Sequence, residues 1–194
     1  MKIIAGLFVT ALYTIFVQNL VMCSGLGMSE AMRVASRPGT FIKFAFMISG
    51  FSTITSLLCS LIGSFTSLYT SYVVKATVYA VVLASVYIVA AAVIAVFTRD
   101  KELLGTLGIA ALNTLVFAVP YINDTANYNL LRSIGSGLGA GFAFVLAAAL
   151  IGSGAKKIEK NTKIPEIFKG TPAMFFYVAI ISLGFMGFTG TTLF

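Results

Sequence analysis

The chain has 194 residues, is 59% apolar and only 10% charged, and carries a net charge of +7. A soluble domain is typically about 25% charged, so this composition marks an integral membrane protein of single-domain size. It contains no histidine, which excludes histidine-ligated haem, HExxH zinc sites and histidine-activated nucleophiles. In a membrane chain the basic excess reports topology rather than affinity for nucleic acid.

The N-terminus has a thin basic start at Lys2, and Leu20-Val21-Met22-Cys23 faintly resembles a lipoprotein cleavage box. Met22 is large where a small residue is needed, and the apolar run outlasts a usual signal core. The segment therefore reads as a retained helix. Six runs reach the ~20 residues needed to cross a ~30 Å hydrocarbon core. They are Ile3–Ser24, Thr40–Ser64, Tyr72–Phe97, Leu103–Tyr121, Leu130–Ser153 and Pro172–Leu193. With no Trp, any aromatic belt must be Tyr and Phe.

Two of these runs contain helix breakers. Gln18–Met32 begins inside the first span and loses helical character at Ser24-Gly25-Leu26-Gly27. The stretch from Asn113 to Asp124 echoes it and carries Pro120, where a break is predicted. Asn19-Leu20-Val21 and Asn113-Thr114-Leu115-Val116 stand 94 residues apart, near half the chain. An interrupted helix exposes backbone groups that lipid cannot satisfy, so such breaks belong inside a bundle, near a bound group or a water path.

Charge gives the orientation. Ten of the thirteen Lys and Arg fall on one side of the six spans: Arg33, Arg37, Lys43, Arg99, Lys101 and five from Lys156 to Lys169. Lys2, Lys75 and Arg132 fall on the other. The positive-inside rule places the ten in the cytoplasm and both termini outside. Residues 1–98 and 99–194 are then three-span halves of opposite orientation, each opening on a broken helix. The expected fold is an all-α integral membrane domain of six transmembrane helices arranged as two inverted repeats.

In the fifth span, Gly135-Ser136-Gly137-Leu138-Gly139-Ala140-Gly141 lies within an apolar helix with no strand before it, so it is no nucleotide loop. The Gly135/Gly139 and Gly137/Gly141 spacings put small residues on one face for close helix packing, and Gly184, Gly187 and Gly190 read the same way. Asn123-Asp124-Thr125 matches a glycosylation sequon and carries no further weight.

All six acids lie at helix ends or in loops. Ions crossing this chain must therefore use carbonyls, Asn, Thr, Ser or Tyr, or a partner's acids. The midplane or pathway candidates are Gln18, Asn19, Gly25, Gly27, Asn113, Thr114 and Pro120. For the two asparagines the competing reading is interhelical hydrogen bonding. Cys23 and Cys59 lack CxxC spacing and read as inert buried thiols. Cys23, beside the first break, is nevertheless the one cofactor-ligand candidate. Lys43 can snorkel to the interface, and Glu30 pairs with Arg33 at helical spacing.

Ile164-Pro165-Glu166-Ile167-Phe168-Lys169-Gly170 and Leu183-Gly184-Phe185-Met186-Gly187-Phe188-Thr189-Gly190 are the most specific strings. With Tyr128–Ser133, Leu103-Leu104-Gly105, Asn19-Leu20-Val21 and Gly25-Leu26-Gly27, they resemble the membrane subunits of the Rnf/Nqr ion-translocating oxidoreductases. The likeness is to the branch containing RnfA (RsxA) and NqrE, and it extends over essentially the whole chain. The resemblance implies a subunit that is not catalytic alone. It would pair with a homologous six-helix subunit of opposite topology in the cytoplasmic membrane of a bacterium or archaeon. The complex would relay electrons between a cytoplasmic NADH or ferredoxin module and outer flavins, coupled to Na+ or H+ transport, with flavin only in partner subunits. It also implies a [2Fe-2S] cluster shared between the paired subunits, each giving one cysteine from each half-helix break. This chain departs from that pattern. After Gly25-Leu26 it has Gly27, then Met28 and Ser29; beside Asn113 it has Thr114 and Leu115. The ligand role thus carries over to no residue.

Two other readings stay open: a six-helix solute carrier or membrane substrate-binding component of an importer, and a purely structural assembly partner. The first would bind a neutral solute near Asn19 and Asn113.

Overall fold

The computed structural model describes residues 2–35, 38–65 and 71–189. Every regular element among them is helical. In chain order they are α1 (Lys2–Leu12), which continues as a π-helical turn over Tyr13–Val17, α2 (Leu20–Ser24), α3 (Met28–Ala35), α4 (Pro38–Phe65) and α5 (Tyr72–Phe97). Then follow α6 (Lys101–Ala111), α7 (Thr114–Thr125), α8 (Leu130–Lys160), a 3₁₀ turn (Glu166–Phe168) and α9 (Thr171–Thr189). Five segments are long and apolar enough to cross a membrane: Phe41–Phe65, Tyr72–Phe97, Lys101–Thr125, Leu130–Lys160 and Thr171–Thr189. The apolar helix Ile4–Val17 is shorter than a span, because the first expected run is interrupted at Gln18 and Asn19 as well as at the glycines.

The packing is centred on α8, which lies against α1, α3 and α4. Its glycines allow this, but not on one face as the spacing implied. Residues two apart on a helix point in nearly opposite directions. Gly135 and Gly139 accordingly abut Leu7 and Ala11 of α1, while Gly137 and Gly141 abut Thr53 and Ser49 of α4. A Cβ on Gly139 would stand 2.8 Å from the Ala11 carbonyl oxygen, and one on Gly137 would stand 2.6 Å from Thr53 Cα. Both are below any tolerable contact. The corresponding expectation for α9 does not hold among the described residues. Nothing lies within 4 Å of a Cβ on Gly184 or Gly187, and Gly190 is outside the described residues.

α5 is the opposite case. It is apolar all round and leaves Val73, Val81, Ile88, Val89, Val93 and Val96 exposed, as suits a helix bathed in lipid. The core is instead Val21, Met22, Ile48, Leu115, Val116, Val119, Phe144 and Ile151, all almost fully buried. It gathers around the helix interruptions.

α8 runs to Lys160, about two turns past the expected end at Ser153. Lysines and Glu159 carry it on, and they are good helix formers outside an apolar layer. Arg33 pairs with Glu30 at 2.7 Å as the spacing predicted. Asn123 of the sequon is buried and so is closed to modification.

Candidate functional site: where two interrupted helices meet

The first interruption has three parts. Gln18 closes the π-helical turn, its N–H donating to the Tyr13 carbonyl at 2.8 Å. Asn19 then restarts the helix. Its Oδ1 accepts from the backbone N–H of Val21 and Met22 at 3.2 and 3.1 Å. An N-cap of this kind satisfies donors that a helix start leaves open. Gly25 ends α2 in the left-handed region at φ 69°, and the Leu26 N–H reaches back to the Leu20 carbonyl at 3.1 Å. This double closure is the usual glycine-dependent helix ending. Gly27, at φ 75°, leads into α3.

The second interruption is smaller. α6 stops at Ala111, Leu112 follows, and Asn113 caps α7 with its Oδ1 accepting from the Leu115 N–H at 2.9 Å. The break predicted at Pro120 is therefore displaced by two helical turns. Pro120 sits inside α7. Membrane helices tolerate an interior proline where neighbours accommodate the carbonyl it leaves free.

The two interruptions touch. The Gly27 N–H donates to Thr114 Oγ1 at 2.9 Å. A Cβ on Gly27 would lie 2.7 Å from Asn113 Oδ1 and 3.3 Å from Leu115 Cβ, so only glycine lets the chains approach so closely. Asn19 reaches a third element: its Nδ2 donates to the carbonyls of Ile15 at 3.0 Å and Ala143 of α8 at 3.3 Å. The junction thus brings together Gly27, Asn113 and Thr114, with Asn19 fastening the first break to α8.

Cys23 is not part of that contact. It is half-buried, and its Sγ lies 3.7 Å from the Val17 carbonyl as a weak donor. Cys59 packs on α4 with Tyr79 and Val82 in a separate small cluster. Neither cysteine is in a disulfide. Pro120 lies away from the junction, beside Asn123 on the wall of a polar cavity. Sequence reasoning passes over Ser56 and gives no site role to Asn123 or Ser133; all three are buried polar residues in apolar helices. Their signal is nonetheless in the chain: polar side chains inside otherwise apolar spans.

A family model described as "Rnf-Nqr subunit, membrane protein" matches residues 6–192. The chain belongs to the Rnf-Nqr family. Among its relatives is a subunit of the ion-translocating oxidoreductase complex of Colwellia psychrerythraea, 29% identical over 187 residues, covering 91% of this chain and 93% of that one. The subunit of the same name from Vibrio cholerae is likewise 29% identical over 187 residues, with the same coverage. A subunit of the proton-translocating ferredoxin:NAD(+) oxidoreductase complex of Clostridium ljungdahlii is 25% identical over 189 residues, covering 95% of each chain.

The Rnf-Nqr resemblance implies an iron–sulfur cluster at this junction, and the donors present do not fit one. Such clusters are held by thiolates. Here the groups at the contact are an amide, a hydroxyl and glycine backbone, and the hydroxyl oxygen already accepts from Gly27.

Proposed function

We propose that this chain is a membrane subunit of an Rnf-type ion-translocating oxidoreductase complex. It serves as a scaffold for electron and ion movement and performs no catalysis by itself. The observation that carries this reading is the family match from residue 6 to residue 192, which spans both interruptions and all five long helices. In support, the two helices interrupted in this way are the ones that open residues 1–98 and 99–194. The fuller arrangement is six spans in two inverted halves, the first crossing made jointly by α1, the π turn and α2. Its lysine-rich end faces the cytoplasm and both termini face outward. The expected partner is a homologous six-helix subunit of opposite topology.

The same reading holds that this subunit brings no cluster ligand of its own. The Thr114 hydroxyl ties the two breaks together by a hydrogen bond, and any thiolates come from elsewhere in the complex.

Purification of the tagged chain in mild detergent tests the assignment. Flavoprotein and ferredoxin-like subunits are expected to co-purify. Recovery of an ATPase in their place overturns it in favour of the importer component. A C-terminal reporter that fluoresces only in the cytoplasm should stay dark; fluorescence reverses the orientation.

A further inference from the structure

At the lysine-rich end of the bundle a groove of about 580 Å³ lies between α3, the end of α8 and the start of α9. None of the residues at the helix junction lines it. Lys169 and Gly170 on its wall close the Ile164–Gly170 string, which the junction leaves unused. The groove has a local cause. The Tyr177 hydroxyl donates to the Leu150 carbonyl at 3.2 Å, and the Tyr177 ring occupies the space that a Cβ on Gly154 would need. This contact pins α9 to α8. On its lysine-rich side the chain still has to turn from α8 into α9, and the groove is left between the helix ends.

The wall changes character along its length. Met32, Ile151, Ala155, Ile158 and Met174 are apolar, whereas Glu159, Lys169 and Thr171 are not. Ile151 and Glu159 are eight residues apart on α8, about 12 Å at 1.5 Å per residue. The apolar run of this helix ends at Ser153, between the two. The groove therefore straddles the boundary between hydrocarbon and a headgroup layer roughly 5–8 Å deep. A pocket that is apolar at depth and polar at its rim, at this level of a bilayer, fits a phospholipid. A free phosphate would leave the apolar wall uncovered.

Charge selects the headgroup. Lys156, Lys157, Lys160, Lys163 and Lys169 stand between Gly154 and Thr171, against Glu159 and Glu166. Lys169 is half-buried on the wall, and Glu159 is exposed. Arg33, next to Met32, is already engaged by Glu30, so Lys169 supplies the positive charge of the described wall. The start of α9 adds a partial charge of the same sign. Basic residues at a membrane surface attract anionic lipids, and a zwitterionic headgroup would bring a second cation to a rim that is already positive.

We propose that this groove holds an anionic phospholipid, with its phosphate at Lys169 and Thr171 and an acyl chain along Ile151, Ala155 and Met174. The site needs only a bilayer around the chain. That the lipid comes from the cytoplasmic leaflet rests on the proposed orientation, which the C-terminal reporter tests separately.

Thermal unfolding of the purified full chain in mild detergent tests the site, with dioleoylphosphatidylglycerol, dioleoylphosphatidylcholine or sodium phosphate added. A ligand bound only by the folded state raises the midpoint. Phosphatidylglycerol is expected to raise it by several degrees, phosphatidylcholine by less than half as much, and phosphate not at all. Lys169→Gln should at least halve the phosphatidylglycerol effect, and Ala155→Phe, which fills the groove, should abolish it. Lys101→Gln, at the start of α6 on the same side of the membrane, should leave it intact. No rise in the parent overturns the proposal and leaves the groove to a partner protein. Equal rises with the two lipids overturn it, and so does a rise of the same size with phosphate alone, which would assign the rim to a free anion. A loss in Lys101→Gln as large as that in Lys169→Gln would reduce the effect to diffuse surface attraction and overturn it as well. Should Ala155→Phe fail to fold, Lys169→Gln decides, and an undiminished rise in that variant ends the proposal.

Discussion

The two helix interruptions use the same cap and leave it in different states. Asn19 engages both ends of its amide: two backbone N–H groups donate to its oxygen, and its nitrogen donates to Ile15 and across to Ala143. Asn113 engages its oxygen alone; its Nδ2 is buried with no partner among the described residues. The first break spreads over Gln18 to Gly27 and needs two left-handed glycines. The second is confined to Leu112 and Asn113 and needs none. One interruption is therefore fastened to the rest of the bundle. The other has no such side-chain tie, and the helices on either side of it are held by packing on α4, α5 and α8. A fully satisfied buried amide fixes one geometry, and a half-satisfied one is where a structure can still change.

The largest effect should come from Gly27. Valine there would adopt φ 75° with its Cβ 2.7 Å from Asn113 Oδ1. The left-handed backbone costs about 1–2 kcal/mol for an ordinary residue, more for a β-branched one, and the collision adds to it. Gly27→Val should fail to give a monodisperse protein in detergent, as judged by size-exclusion chromatography. Gly25→Ala shares the backbone penalty at φ 69° but meets nothing within 4 Å, and should cost only about 1–2 kcal/mol. Equal damage at both positions would mean that the contact between the breaks contributes nothing.

Next come the caps. Asn19→Ala removes an N-cap, worth about 0.5–2 kcal/mol, and also loses the Nδ2 bonds to the Ile15 and Ala143 carbonyls, roughly 0.5–1.5 kcal/mol each. Asn113→Ala loses only its cap and frees an amide nitrogen that had no partner, so about 1 kcal/mol is expected. Circular dichroism melts in detergent should rank Asn19→Ala well below Asn113→Ala. The reverse order would undo the distinction drawn between the two breaks.

Much of this architecture is legible in hydropathy, for a physical reason. A span must be apolar for about 20 residues, and Tyr72–Phe97 matches its expected bounds to the residue because nothing interrupts it. The breaks are less legible. Proline at position 120 reads as a breaker, yet the helix passes through it. The helix actually restarts at Asn113, and the same start signal stands at Asn19: an asparagine immediately before an apolar run. The shared Asn–Leu–Val-like strings read as an echo, but their content is capping chemistry. The glycines of α8 are close-packing residues, as their spacing implies, but which neighbour each pair meets depends on tertiary arrangement. The polar cavity is illegible for a similar reason. Ser56, Asn123 and Ser133 lie on three different helices, and only the fold brings them together.

Thr114 gives a smaller effect that bears on the contact itself. Thr114→Val keeps the shape and removes the acceptor for the Gly27 N–H, at about 1–2 kcal/mol. Thr114→Ser should restore most of it. A melt that does not separate valine from serine would show that the two breaks are held by packing alone.

The smallest effect belongs to Cys23, and its smallness is the informative part. The thiol is half-buried, and its contact to Val17 is at 3.7 Å, too weak to matter much. The Gly27–Thr114 bond joins the two breaks without it. Cys23→Ser should therefore change stability by no more than about 0.5 kcal/mol. It should also leave the iron content of the purified complex unchanged, measured by elemental analysis per mole of protein. A drop in iron with an unchanged melt would assign this sulfur a metal after all. The first interruption would then be a ligand-bearing break, and the difference between the two interruptions would be one of chemistry, beyond the matter of how completely each asparagine is bonded.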